Sequence, residues 1–193
     1  MNNIEYRRDY YKYVVPYANN KPRIVLSDNK IKAINTLATN IVSAKTFEDH
    51  HIVDHFNEQK RFTTGLLGEA AMEQLLGIEI VDYSVGNSNF FNVADLSKLG
   101  YNIGIKTVEL WKFPIIHKSV KRPEIINVLR DGNSVICFGY ASKRVLEQFQ
   151  NDDYILSPSL RSRGTKTGFY GFSELIPITC LDDIIEAYNK FDR

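Results

Sequence analysis

Apolar residues recur at three- and four-residue spacing over Ile31, Ile34, Leu37, Ala38 and Ile41, which predicts an amphipathic helix capped by Ser27 or Asp28. A second helix is expected over 48–56. A third runs over 58–76 and stops at Gly77, a residue suited to the left-handed turn that ends helices. Gly65 and Gly68 inside it cost helix stability, which implies that this helix packs closely on a sheet. The pattern then turns extended over 78–85, 90–96 and 101–111, with breaks at Gly86-Asn87-Ser88-Asn89 and at Lys98-Leu99-Gly100. A three-stranded meander is predicted. Pro123 suits the first turn of a short helix ending at Gly132, and 134–140 reads as a buried strand. A helix over 143–150, an extended stretch over 169–178 and a closing helix marked by Leu181, Ile184, Ile185 and Tyr188 complete the chain. Residues 1–26, rich in Tyr and Arg and broken by Pro16 and Pro22, show no sustained period and are expected to form an irregular arm or short strands.

The order of elements is α/β. At 193 residues the chain accommodates one folded unit, divided here into an N-terminal arm with helices over 1–57 and a core over 58–193. Hydrophobic residues at 44% and charged residues at 24% exclude disordered and fibrous classes. No apolar run reaches membrane-spanning length, and the first residues lack a signal peptide's apolar segment, so no membrane association and a cytoplasmic location are expected. Cys137 and Cys180 lie in apolar runs without a CxxC partner and read as buried free thiols. A net charge of +1 gives no global attraction to nucleic acid, but the positive charge is clustered. Lys112, His117, Lys118, Lys121 and Arg122 follow the third extended run, and Arg161, Arg163 and Lys166 form a second group. Both are positioned to track a phosphate backbone.

Chemistry concentrates in an acid, an acid and a lysine on three successive elements: Glu69, Asp95 and Lys106. Strand alternation places Asn102, Gly104, Lys106 and Val108 on one face, so Lys106 is a charge inside an apolar strand, costly unless it faces a charged site. Carboxylates hold a hard cation through oxygen, and a lysine beside them orients or activates an attacking water. His51 and His55 have the four-residue spacing of two zinc ligands on a helix, but without HExxH or a third ligand they read as a solvated face.

On Gly68-Glu69-Ala70, Ala94-Asp95 and Gly104-Ile105-Lys106-Thr107, the segment from about residue 58 to 140 resembles the PD-(D/E)xK nuclease superfamily. The resemblance implies a restriction-endonuclease-like core of helix, three-stranded meander, helix and strand. It also implies Mg²⁺ or Mn²⁺ held by Asp95 and Glu69, water assisted by Lys106, DNA as substrate and a possible homodimer. The alternative is a nuclease-like fold without catalysis, serving as a nucleic-acid or protein-binding module. Gly104 departs from the family pattern, which has a second acid there. Glu73, one helical turn beyond Glu69, is the preferred substitute and Asp82 the next, while Glu109 points to the opposite face.

Overall fold

The computed structural model describes residues 3–45, 55–84 and 93–193. Helix α1, Asn3–Tyr13, stands where an irregular arm was expected. Its buried stripe is written in tyrosines, Tyr6 and Tyr10, whose polar tips conceal the helical period, and Val14 extends it. Strand β1, Arg23–Val25, follows the prolines, and α2, Asp28–Lys45, begins where the Lys30 N–H donates to Ser27 Oγ at 3.3 Å, as the capping signal predicts. Helix α3, His55–Leu76, ends at Gly77 with φ +68°. The boundary drawn at residue 57 therefore falls in its first turn. The helix expected over 48–56 lies outside the described residues except for His55 and Phe56, which open α3.

Residues 78–84 and 93–103 form no strand, and 85–92 lie outside the described residues, so the described part of the expected meander is its third member, β2, Gly104–Glu109. Strand β3, Ile115–His117, precedes β4, Glu124–Leu129, which occupies the place of the helix expected after Pro123. Ile125, Ile126, Val128 and Leu129 are buried, and this apolar, β-branched run on both faces outweighs the preference of one proline for a helical first turn. Strand β5, Ser134–Ala141, is buried throughout, as expected. Helix α4, Lys143–Gln148, β6, Gln150–Asn151, α5, Pro158–Ser162, and β7, Lys166–Phe169, come next. The stretch expected to be extended over 169–178 passes through a 3₁₀ turn at Phe172–Glu174 and meets β5 again at the Tyr140–Ile176 bridge. Helix α6, Leu181–Phe191, closes the chain. The Asp183 carboxylate accepts from the N–H and hydroxyl of Thr179 and from the Cys180 N–H, which places Cys180 at an exposed helix start; the expected burial holds for Cys137 alone.

The fold is α/β with a mixed four-stranded sheet in the order β1-β5-β4-β2, in which β2 and β4 are parallel and the other pairs antiparallel. A second, antiparallel sheet has the order β3-β7-β6. One core gathers Ile34, Leu67, Met72, Ile125 and Ile184 from the helices and the larger sheet, with Ile103 from the segment that leads into β2. The other joins Tyr6, Tyr10, Phe113, Ile126, Phe138 and Phe169, so α1 is integral to the fold. Among the described residues no helix is long and apolar enough to cross a membrane.

Parallel strands need a crossover, and here it runs through the second sheet. The chain leaves β2, pairs with β7 as β3, and returns through Lys121, Arg122 and Pro123 to start β4 beside Gly104. That route delivers the basic segment to the end of the sheet where β2 begins.

Candidate active site

Strand β2 is an edge, so alternate backbone amides point away from β4. Gly104 N–H donates to Pro123 O at 3.0 Å within the sheet, whereas the Ile105 N–H points outward and donates to Asp95 Oδ2. The turn that makes this possible is the predicted one. Leu96 N–H donates to Ile103 O at 3.2 Å, Tyr101 N–H to Leu96 O at 3.3 Å, and Gly100 takes φ +84°. Asp95 is thereby fixed one residue from Lys106. Burial raises its pKa, against the lowering effects of the Ile105 bond and the Arg122 and Lys106 charges.

The space beside Gly104 is occupied by Glu124. These two residues are paired in the parallel register, and a Cβ placed on Gly104 would lie 2.6 Å from Glu124 Oε2 and 3.1 Å from Arg122 Nε. Alternation puts Gly104, Lys106 and Glu124 on one face of the sheet. Burial pushes the Glu124 carboxyl up, Lys106 and Arg122 pull it down, and Asp95 raises it further. Glu124 is not among the residues expected from the sequence, because Pro123 suits a helical first turn as well as the start of this strand. The available signal was an acid at the head of an apolar run two residues from a cationic cluster.

Glu69 approaches from the opposite face. Gly68 lets α3 lie against β2, since a Cβ there would sit 1.6 Å from Thr107 Oγ1; Gly65 has nothing within 4 Å, so only one of the two helix glycines marks close packing. Burial pushes the Glu69 carboxyl up to about 8, and the charges of Asp95, Glu73 and Asp82 add to the rise. The preferred substitute acid is engaged elsewhere. Glu73 Oε1 accepts from the N–H groups of Ile80 at 2.9 Å and Val81 at 2.8 Å, and Oε2 accepts from Lys30 at 3.0 Å. It ties the segment after α3 back onto the helix. Asp82 is exposed and accepts from the N–H and hydroxyl of Ser84, an Asx turn. Glu109 faces α3, as alternation predicts, between Lys60 at 2.7 Å and Lys112.

The basic clusters are divided and recombined. Lys112 pairs with Glu109, Lys118 with Asp152 at 2.5 Å, and Arg161 donates to the carbonyls of Asp153 and Ile155 at 3.1 and 2.7 Å, anchoring α5. Arg163 is exposed just beyond α5. His117 and Lys166 face each other in the β3–β7 register, and Lys166 Nζ donates to His117 Nε2. Burial and the charges of Lys106, Arg61 and Lys121 bring Lys166 down to about 8 against the opposing effect of Glu124. His117 is lowered by burial, then by Lys166, Lys106, Lys121 and Arg122. Lys106, His117, Lys121, Arg122 and Lys166 thus share one electrostatic environment with Asp95 and Glu124, although they come from separate stretches of chain.

Asp95 and Glu124, both within the fields of Lys106 and Arg122, are buried carboxyls that resist ionisation, and Asp95 adds to the rise of Glu69 on the other face, so added positive charge or a proton is favoured beside Asp95. Their oxygens are the hard donors that Mg²⁺ and Mn²⁺ prefer. Among the described residues no three His, Cys, Asp or Glu side chains are grouped closely enough to hold a metal ion by themselves. No protein-family model, curated protein or solved structure matches the chain.

Proposed function

We propose that the chain is a metal-dependent endonuclease that hydrolyses DNA phosphodiester bonds with a restriction-endonuclease-like site. The observation that carries this reading is Glu124 in the place beside Gly104, in register on the neighbouring parallel strand and within the fields of Lys106 and Asp95. The second acid is supplied from across the ladder. Asp95 and Glu124 provide carboxylate oxygens for Mg²⁺ or Mn²⁺, with Glu69 behind Asp95, and water and phosphate oxygens complete the small shell such ions keep. When bound, the ion lowers the pKa of a coordinated water and offsets phosphate charge.

Lys106 orients the attacking water and faces the charge that develops on the phosphoryl oxygens. Arg122, whose charge acts on both Asp95 and Glu124, meets the same phosphate from the β4 side. The backbone bond from Ile105 fixes the Asp95 carboxylate before substrate arrives. Cutting both strands of a duplex calls for two such sites, for which a homodimer is the simplest arrangement.

Plasmid and oligonucleotide cleavage with Mg²⁺ or Mn²⁺ tests the proposal. Wild type cleaves, while Asp95→Ala, Lys106→Ala and Glu124→Gln lose activity and stay folded. Equal cleavage by all four proteins would locate the activity elsewhere. DNA binding without cleavage by wild type would replace the enzyme by the binding-module reading.

A further inference from the structure

The basic groups fall into two sets. Lys112, Lys118 and Arg161 each meet an acid or carbonyl of their own, whereas His117 and Lys166 meet each other. They are neighbours on a paired ribbon, His117 opposite Lys166, with the Lys118 N–H donating to Thr165 O at 3.1 Å just beyond them. The ribbon fixes their spacing without help from a loop. Lys121, on the return to β4, acts on both, and so does Lys106.

A lysine that donates to a histidine, with further cations around them, is an arrangement at odds with itself until an anion arrives. Asp95 and Glu124 already lie in the fields of Lys106 and Arg122, and Glu124 offsets only part of the burial and cationic field at Lys166, which stays down at about 8. A phosphate suits the gap. It accepts from the Lys166 ammonium, from a His117 ring N–H and from Lys121, and its negative charge removes the repulsion among them. The Lys106 charge acts both on this group and on the acids, which puts a phosphate held here within reach of the field of Lys106.

We infer that His117, Lys166 and Lys121 form a second phosphate pocket, which grips the phosphodiester adjacent to the scissile one and makes a run of consecutive phosphates the preferred ligand. The identity of the neighbouring phosphate rests on the nuclease reading; the anion pocket itself does not.

The test is binding of a 12-base-pair DNA duplex to the full chain in EDTA, where no cleavage occurs, across a range of KCl concentrations. Lys166→Gln weakens binding about tenfold and reduces the slope of log affinity against log salt by about 0.9, the loss of one phosphate contact. Lys118→Gln removes the same formal charge from the neighbouring Asp152 pair and leaves the slope unchanged. Equal slope losses in the two variants, or none in Lys166→Gln, would overturn the pocket. Thermal unfolding of each variant accompanies the titrations, and if Lys166→Gln is unstable the same comparison is read from His117→Gln, which keeps a polar side chain and is expected to weaken binding severalfold. Intact binding with the Lys166 effect but no Mg²⁺-dependent cleavage would sink the hydrolase reading and leave the pocket standing. Cleavage with an unchanged slope would do the reverse.

Discussion

Gly104→Ala is a steric probe of the site with little reach beyond it. The added methyl meets Glu124 Oε2 at 2.6 Å and Arg122 Nε at 3.1 Å, whereas ordinary contact begins at 3.4 Å, so the Glu124 carboxylate must retreat by 3.4 − 2.6, about 0.8 Å. Both obstructing groups are ends of flexible side chains, and no backbone atom is among the nearest contacts. The fold therefore absorbs the change. Replacing glycine by alanine in a strand gains about 0.4–1 kcal/mol through the unfolded chain, which offsets much of the cost of moving Glu124, and the net effect on Tm is a few degrees at most. On the proposed nuclease reading the cleavage rate does not absorb it, because displacing a group of the reacting centre by about 1 Å costs on the order of 100-fold in rate.

Single-turnover cleavage of a labelled duplex in Mg²⁺, with thermal unfolding of the same preparation, separates the two effects. The expected result is a loss of about 100-fold with Tm nearly unchanged. A complementary exchange, Gly104→Asp with Glu124→Ala, returns a carboxylate to the same volume from the other strand and recovers part of the activity that Glu124→Ala alone loses. Full activity in Gly104→Ala would show that the position of the Glu124 carboxylate is irrelevant, and the assignment of Glu124 would fall.

Three further outcomes follow from the same geometry. The Glu69 carboxyl, pushed up from 4.5 to about 8, keeps a proton in the native state that the unfolded chain releases, so metal-free stability falls as pH rises across that window, by up to about 1.4 kcal/mol per pH unit. Glu69→Gln removes this component, and denaturant titrations at pH 5 and pH 8 that show the same pH dependence in both proteins would refute it. Glu73→Ala strips the acceptor from the Ile80 and Val81 amides and from Lys30, for a loss on the order of 2–3 kcal/mol in urea unfolding; a variant of unaltered stability that no longer cleaves would return Glu73 to the catalytic set. Gly68→Ala drives a methyl into Thr107 and destabilises by about 3 kcal/mol or more, while Gly65→Ala, with open space around it, stabilises α3 by up to about 1 kcal/mol; Tm changes of equal sign in the two would contradict the close approach at Gly68.

The helices were legible where signals agreed. Ser27, the spacing from Ile31 to Ile41 and Gly77 mark α2 and the end of α3, because caps and periods are local properties of the chain. Alternation likewise placed Gly104 with Lys106 and Glu109 on the opposite face, which its contact with Lys60 on α3 bears out. What the sequence could not disclose is which strand lies beside β2. Strand pairing is nonlocal, and Pro123 is compatible both with a helical first turn and with the residue before a strand.

That ambiguity hid Glu124, which on the proposed reading is the second acid. A motif read along one strand finds glycine where an acid is expected and stops. Across the parallel ladder Gly104 faces Glu124, and the missing Cβ at one position leaves the volume that the carboxylate at the other enters. The two residues are therefore one feature of the site: an acid at 104 would collide with Glu124, and a smaller residue at 124 would leave Gly104 without a purpose in close approach. The same argument accounts for the basic groups, since the crossover that brings Glu124 to β2 also carries His117, Lys121 and Arg122 to that end of the sheet. Chemistry scattered over about sixty residues, from Lys106 to Lys166, converges because β3 pairs with β7 in one sheet while β4 pairs with β2 in the other.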